Sequence, residues 1–252
     1  MRRGRLLTVR CRRNASYSCS SNSFHFMPLH GNSSGSTRCR LSAALACFAA
    51  ALVPTHAAAD RYMLDRDHTL IAFFWNHLGV SFQAGRFRRS RGTIEFDPQR
   101  ISDSTVCVSI SADSIDTNVP ALDHQLKGSD WFDAARYSDI TFRSTRVVEL
   151  TPRTAEITGD LTIRDVTAPA VLNVRMNYVG AHPLAGLRPR YETWKIAGFS
   201  ATTTLKRSQW RLSEWLQLGG KVLVPDDVEV RIEVEAIKAP QDDEGGDNGC
   251  SG

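Results

Sequence analysis

The sequence lacks the short signatures by which many enzymes announce their chemistry. No HExxH, GxSxG, GxGxxG, Walker A or CxxC pattern occurs in its 252 residues. Long hydrophobic runs are missing too, since no apolar stretch reaches the roughly 18 to 20 residues that span a bilayer as a helix. Acidic residues are absent before Asp60, whereas Arg2, Arg3, Arg5, Arg10, Arg12, Arg13, Arg38 and Arg40 all fall there. The formal charge of +4 therefore belongs to the first 59 residues; beyond them 23 basic face 27 acidic residues, a net of −4. Nucleic-acid binding read from global charge has no support once that is seen. Cysteine is scarce as well. Cys11, Cys19, Cys39 and Cys47 lie in the leader, and only Cys107 and Cys250 follow. With only these two, a native disulfide in the body of the chain is not expected; Cys107 reads as a small buried hydrophobe in a strand and Cys250 as an incidental thiol.

What is present at the start reads as an address. Leu41 to Val53 is a 13-residue apolar stretch preceded by Arg38 and Arg40 and broken by Pro54. Ala57 and Ala59 supply small residues at the −3 and −1 positions, which predicts a signal peptide cleaved between Ala59 and Asp60 and a periplasmic destination. Residues 27–59 make a signal peptide of ordinary length from Met27. Residues 1–26 are Arg- and Ser-rich without an apolar period, an extension ahead of the true start or an organellar transit peptide. Cys47 does not fit a lipobox, because Ala44 stands three residues before it and most of the apolar run lies after it. The division expected is a leader over 1–59, a folded body over 60–238, and an acidic, Gly-rich, disordered tail over 239–252.

The body is dominated by period-2 alternation. Val228, Val230, Ile232, Val234 and Ala236 alternate with Glu229, Arg231, Glu233 and Glu235, the mark of a strand with one wet face. Ala170, Leu172, Val174, Met176 and Tyr178 repeat the pattern, as do Val106, Val108 and Ile110, and Ile157, Gly159, Leu161 and Ile163. Further strands are expected over 69–77, 85–89, 93–97, 139–150, 193–206 and 221–224. Eight to ten antiparallel strands without βα alternation make an all-β barrel or sandwich. One segment, 119–132, has helical spacing, with Pro120 suited to a first turn and Gly128 to a stop; it would lie across a barrel end as a lid.

Candidate chemistry is thin. His68, His77, His124 and His182 form no paired spacing, so a metal site would need three segments to converge, and no metal or cofactor is assigned. Asp123 and His124 on the lid are the best polar pair, able either to hydrogen-bond a ligand headgroup or to serve the helix and the barrel rim. Arg86, Arg88, Arg89 and Arg91 have three readings: an anionic headgroup site, a contact with anionic lipid or nucleic acid, or the wet face and turn of a hairpin with Phe87 inside. Aromatic residues are spread over most strands and the lid, among them Phe73, Trp75, Phe87, Trp131, Phe132, Phe142, Trp194, Phe199, Trp210 and Trp215. They either fill a small barrel or line a tunnel, and their distribution does not choose between the two.

The ordered series 62–87 (YMLDRDHTLIAFFWNHLGVSFQAGRF), 92–98 (GTIEFDP), 108–145, 158–174 (TGDLTIRDVTAPAVLNV) and 198–212 (GFSATTTLKRSQWRL) resembles the YceI-like family over about Tyr62 to Lys238. Matching positions include His77, Gly85, Phe87, Asp97, Asp116, Asp123, Leu126, Phe132, Phe142, Gly159, Leu161, Thr162, Gly198, Phe199 and Arg207. Departures are Asp165, where the family often has Gly, and Gln209-Trp210-Arg211, where it often has Asp-Phe-Gly; the second bears on the turn near 211. The resemblance implies an extended, lipocalin-like antiparallel barrel of about eight strands with a short helical lid. It also implies an exported protein whose lumen holds a polyisoprenoid, an isoprenoid quinone or another long-chain lipid, with the polar end near the mouth closed by 119–132. The candidate ligand-binding residues are Phe73, Trp75, His77, Phe87, Asp123, His124, Leu126, Trp131, Phe132, Phe142, Phe199 and Trp210, with none catalytic. Transient membrane contact is expected of such a carrier, nucleic acid is not a partner, and the oligomeric state is open, a homodimer included. Two other readings stand beside it: a filled-barrel interaction module, and an enzyme acting on an isoprenoid lipid through Asp123 and His124.

Overall fold

Alternation along the body becomes thirteen strands and one α-helix among the residues described. The computed structural model describes residues 59–212, 217–218, 221–222 and 225–238. The strands are β1 (Asp60–Leu64), β2 (Leu70–His77), β3 (Ser81–Phe87), β4 (Ser90–Phe96), β5 (Thr105–Ser111), β6 (Ile115–Asp116), β7 (Asp139–Thr151), β8 (Thr154–Ile163), β9 (Val166–Ala181), β10 (Lys195–Lys206), β11 (Gln217–Leu218), β12 (Lys221–Val222) and β13 (Asp227–Lys238); α1 is Pro120–Lys127. Eight of them, in the order β1-β4-β5-β7-β8-β9-β10-β13, close when β13 pairs back onto β1, and every pair is antiparallel. Closure pairs each of these eight strands on both sides. Trp215, the 1–58 leader and the 239–252 tail lie outside the described residues, as do the leader cysteines and Cys250. Among the described residues no helix is long and apolar enough to cross a membrane.

The long β13 serves two neighbours on one edge. Ile237 and Ala236 pair with Met63 and Leu64 of β1, while Glu233 to Glu229 pair with Leu70 to Phe74 of β2. The chain therefore kinks between β1 and β2, and β2, β3 and β6 extend the wall past the closed ring. Asp65 holds the kink. Its carboxylate accepts from Asp67 N–H at 2.9 Å and lies 2.8 Å from His68 Nδ1, and its carbonyl accepts from Thr69 Oγ1 at 2.6 Å.

Strand parity sets the lumen. Val228, Val230, Ile232 and Val234 of β13 face inward while Glu229, Arg231 and Glu233 are exposed, as the alternation requires. In β9, Ala170 to Met176 keep that phase, but Tyr178 does not. Tyr178 pairs with Gly198 and Met176 with the next residue, Phe199, so Asn177 is an extra residue in a bulge. The phase flips there: Tyr178 turns out to 44% exposure and Val179 packs on the core in its place. Two inward glycines make room for aromatic rings. A Cβ at Gly85 would overlap the Phe73 ring opposite, and one at Gly159 would overlap the Phe142 ring and reach within 2.6 Å of Arg143 O.

Other expectations shift at their edges. β1 was not foreseen, although its Tyr62 is 2% exposed. β3 begins at Ser81 rather than 85, and the helix within 119–132 is the eight-residue α1. Pro120 does open α1 and Gly128 closes it. The chain then folds back, with Phe132 N–H donating to Leu126 O at 3.0 Å and Ala134 N–H to Lys127 O at 3.0 Å. Arg211, standing where glycine is common in the family, adopts φ 56°, the left-handed conformation that glycine takes most easily. Cys107 is half-buried between the inward Val106 and Val108 and is disulfide-bonded, rather than the buried, unbonded hydrophobe expected.

Candidate functional site: the barrel lumen

The inward faces of the strands enclose a cavity of about 540 Å³, within the roughly 300–1,000 Å³ typical of small-molecule sites. The lumen is therefore not filled by its own side chains. Its wall is almost wholly aliphatic and aromatic, contributed by every strand of the closed ring together with β2 and β3. Along β13 it is lined from Val228 to Val234, six residue steps or ~20 Å of strand at ~3.4 Å per residue. With a strand tilt of about 35–45°, the axial reach is on the order of 15 Å.

The two ends of the lumen are built differently. At the end away from α1, Tyr62, Ile94, Phe96, Ile101 and Phe199 pack into one buried cluster, with Phe96 and Phe199 edge-to-face at 5.3 Å. At the α1 end a relay of rings runs from Trp75 to Phe73 at 5.7 Å, to Phe87 at 5.6 Å and to Phe132 at 5.7 Å. Leu122, Gln125 and Leu126 of α1 and Trp131 complete that end. Trp210 closes the wall beside them, its indole N–H donating to Leu161 O at 3.0 Å.

Ten of the twelve candidate residues meet in this cavity: Phe73, Trp75, His77, Phe87, Leu126, Trp131, Phe132, Phe142, Phe199 and Trp210. Asp123 and His124 do not. The Asp123 carboxylate accepts from Thr117 N–H at 2.7 Å and Thr117 Oγ1 at 2.6 Å, which ties down the loop before α1, and His124 is exposed on the outer side of the helix. Neither side chain lines the lumen, and the Asp123 carboxylate is taken up by the loop that leads into α1. Trp194 is likewise outside the lumen, edge-on to the stacked rings of His182 and Tyr191 in the loop before β10.

The arginine cluster resolves into ion pairs on the outer wall. Arg86 and Arg88 both reach Asp116 at 3.2 Å, Arg89 pairs with Asp113 and Arg91 with Asp139. Phe87 between them points into the lumen, so the hairpin reading holds and the four guanidiniums have carboxylate partners. Among the described residues, one grouping of histidine and carboxylates lies close enough to share a cation: Asp65, His68 and Glu235, within 4.8 Å of one another. It sits at the β1–β2 kink, outside the lumen, where His68 already bonds Asp65. That bond raises the His68 pKa.

Sequence reasoning named the aromatic lining and His77 but not the other polar groups among it. Arg207, recognised only as a matching position, is 8% exposed at the α1 end. It donates from Nε to Pro225 O at 3.1 Å and from Nη1 to Leu212 O at 3.2 Å, and lies over the Trp131 ring at 5.5 Å. Burial pushes its pKa down, opposed by the nearby Asp226. Ser104 and Arg153 line the other end and carried no sequence signal, since a lone serine after a short helix and a turn arginine are common.

These features define a closed antiparallel β barrel whose apolar lumen is of a size to take up a small molecule. The YceI-like domain model matches residues 62–236, and the chain belongs to that family. It is 36% identical over 156 residues to a UPF0312 protein of Vibrio cholerae, covering 61% of this chain and 78% of that one. Among solved structures it resembles the Campylobacter jejuni YceI protein, with a TM-score of 0.54 and 27% identity over 66% of this chain and 90% of the other. Burkholderia cenocepacia BcnA shares the fold, with a TM-score of 0.58 at 21% identity over 70% and 99%.

Proposed function

We propose that this chain is an exported carrier or store for one long apolar lipid, a polyisoprenoid, an isoprenoid quinone or a fatty-acyl chain. The observation that carries the reading is the continuous apolar lumen of about 540 Å³. Each CH₂ removed from water contributes ~0.8 kcal/mol, so roughly fifteen buried carbons contribute on the order of 10 kcal/mol before ordering costs. Affinity of that origin needs few polar contacts, in keeping with the sparse polar lining. The signal-peptide pattern supports delivery to the periplasm, and the exposed Leu78 at the cavity mouth supports brief contact with a membrane during loading.

An enzyme working through Asp123 and His124 is a weaker reading, because neither side chain reaches the lumen. Native mass spectrometry of gently purified protein tests the carrier. A bound lipid, or uptake of added polyprenol or quinone in one-to-one ratio, is expected. Protein that stays empty against all of these would reject the reading.

A further inference from the structure

The lumen is apolar, but one buried hydroxyl within it has no bonding partner among the described residues. Ser104 is 9% exposed, lines the cavity, and its Oγ makes no hydrogen bond among the described residues. A buried polar group left in that state costs about 1–3 kcal/mol, and most such groups in folded proteins find a partner. Its place in the barrel is fixed by strand direction. Ser104 enters β5, which runs toward α1 and pairs at Ser111 with the start of β7. The strand β7 runs back to the turn before Thr154, so Ser104 and Arg153 of that turn both lie at the end away from α1. Arg153 also lines the cavity, is exposed, and has no side-chain bond among the described residues.

The α1 end offers less. Its buried cation, Arg207, is held by two backbone carbonyls and a tryptophan ring, and Asp123 is held by Thr117. His77 and Gln125 are exposed there and can be satisfied by water. Among the described residues that line the cavity, the comparable group is the Trp131 indole N–H, which is also buried and unpartnered. It can only donate, whereas a serine hydroxyl both donates and accepts.

We infer that Ser104 is a polar subsite, and that the ligand of the proposed carrier bears an oxygen-containing terminus, hydroxyl or carbonyl, held at the end of the lumen away from α1 with Arg153 at the rim. This rests on the carrier reading but goes beyond it, naming the chemistry of the ligand's end and its orientation. It is opposite to the placement at the 119–132 mouth that the family resemblance implies.

The test compares geranylgeraniol with the hydrocarbon of the same skeleton lacking the hydroxyl, each displacing a fluorescent apolar probe from the full chain. The unmodified protein is expected to prefer the alcohol. Ser104→Ala, a near-isosteric change, should weaken the alcohol about 2- to 10-fold, the range of one net hydrogen bond, and leave the hydrocarbon unchanged or tighter. Arg153→Gln should weaken the alcohol less. Equal effects on both probes, or none, would overturn the subsite and leave Ser104 a hydroxyl satisfied by water. Selective loss of the alcohol in Trp131→Phe but not in Ser104→Ala would overturn the orientation. Binding of the hydrocarbon alone by the unmodified protein would reject the subsite while keeping the carrier, and binding of neither probe would reject both.

Discussion

The two ends of the lumen use the same residues to opposite purposes. Away from α1, Phe96 and Phe199 meet edge-to-face and are 4% and 9% exposed, seated against Ala197 and Ala236, both at 0%. At the α1 end Phe73, Trp75, Phe87 and Phe132 make ring contacts of similar spacing, yet all four are only half-buried. The ring contacts do not distinguish them; the surroundings do. Alanines on β10 and β13 let the barrel wall close tightly behind one pair, whereas Phe73, Trp75 and Phe87 stand on β2 and β3, beyond the closed ring of strands, and Phe132 on the segment that follows α1. The end away from α1 is a packed plug that floors the cavity and carries the Ser104 subsite inferred above, and the α1 end is a rim whose rings are only half-buried.

That contrast is most sharply tested by shortening one ring at each end. Phe96→Ala should cost about 3–5 kcal/mol in urea unfolding, the usual range for a buried phenylalanine. Phe73→Ala should cost about 1 kcal/mol, since half a phenylalanine side chain is already in water, but should weaken the displacement of an apolar probe severalfold. Equal losses of stability would erase the distinction between plug and rim. A smaller test uses the glycines under the rings. Gly159→Ala sets a methyl against the Phe142 ring and the immovable Arg143 carbonyl and should cost about 1–3 kcal/mol. Gly85→Ala meets only the Phe73 ring, which can swing at the rim, and should cost less while altering affinity.

Much of the plug and the wall could be read before the fold was known. Strict alternation in β13 and β8 assigned inward faces that the structure keeps, and Pro120 and Gly128 marked α1 because both act through backbone geometry alone. What escaped depended on pairing. Asn177 becomes a bulge only because of how β9 meets β10, so Tyr178 looked inward by parity and turns outward in fact. The five residues of β1 carry too short a pattern to count, although Tyr62 is central to the plug. Of the site, the aromatic lining was legible because large rings in a small barrel have few other places to go. The roles of Asp123 and Ser104 were not, because each is set by a single partner, or its absence, across the fold.

The smallest difference between the ends is electrostatic. Asp60, at the plug end, has its pKa lowered chiefly by a hydrogen bond from Lys238, with Lys195 assisting against partial burial. At the α1 end, partial burial would raise the Asp139 pKa, but the hydroxyls of Ser109 at 2.5 Å and Ser138 at 2.6 Å, with Arg91, bring it down on balance. A carboxyl whose folded pKa lies below its unfolded value of ~3.9 stabilises the fold above that value, and the contribution disappears as pH falls through the folded pKa. Stability should therefore be flat in these two groups from pH 7 to about 5 and decline below about 4. Both are partly solvated, so each should contribute less than about 1 kcal/mol. Asp60→Asn and Asp139→Asn should each flatten part of the acid decline, and salt should separate them. The Lys238 and Lys195 pairs at Asp60 are screened at 0.5 M salt, whereas neutral hydroxyl donors are not, so the Asp60→Asn effect should shrink while that of Asp139→Asn persists. Equal salt sensitivity in the two variants would mean that Arg91, and not the serine hydroxyls, governs Asp139.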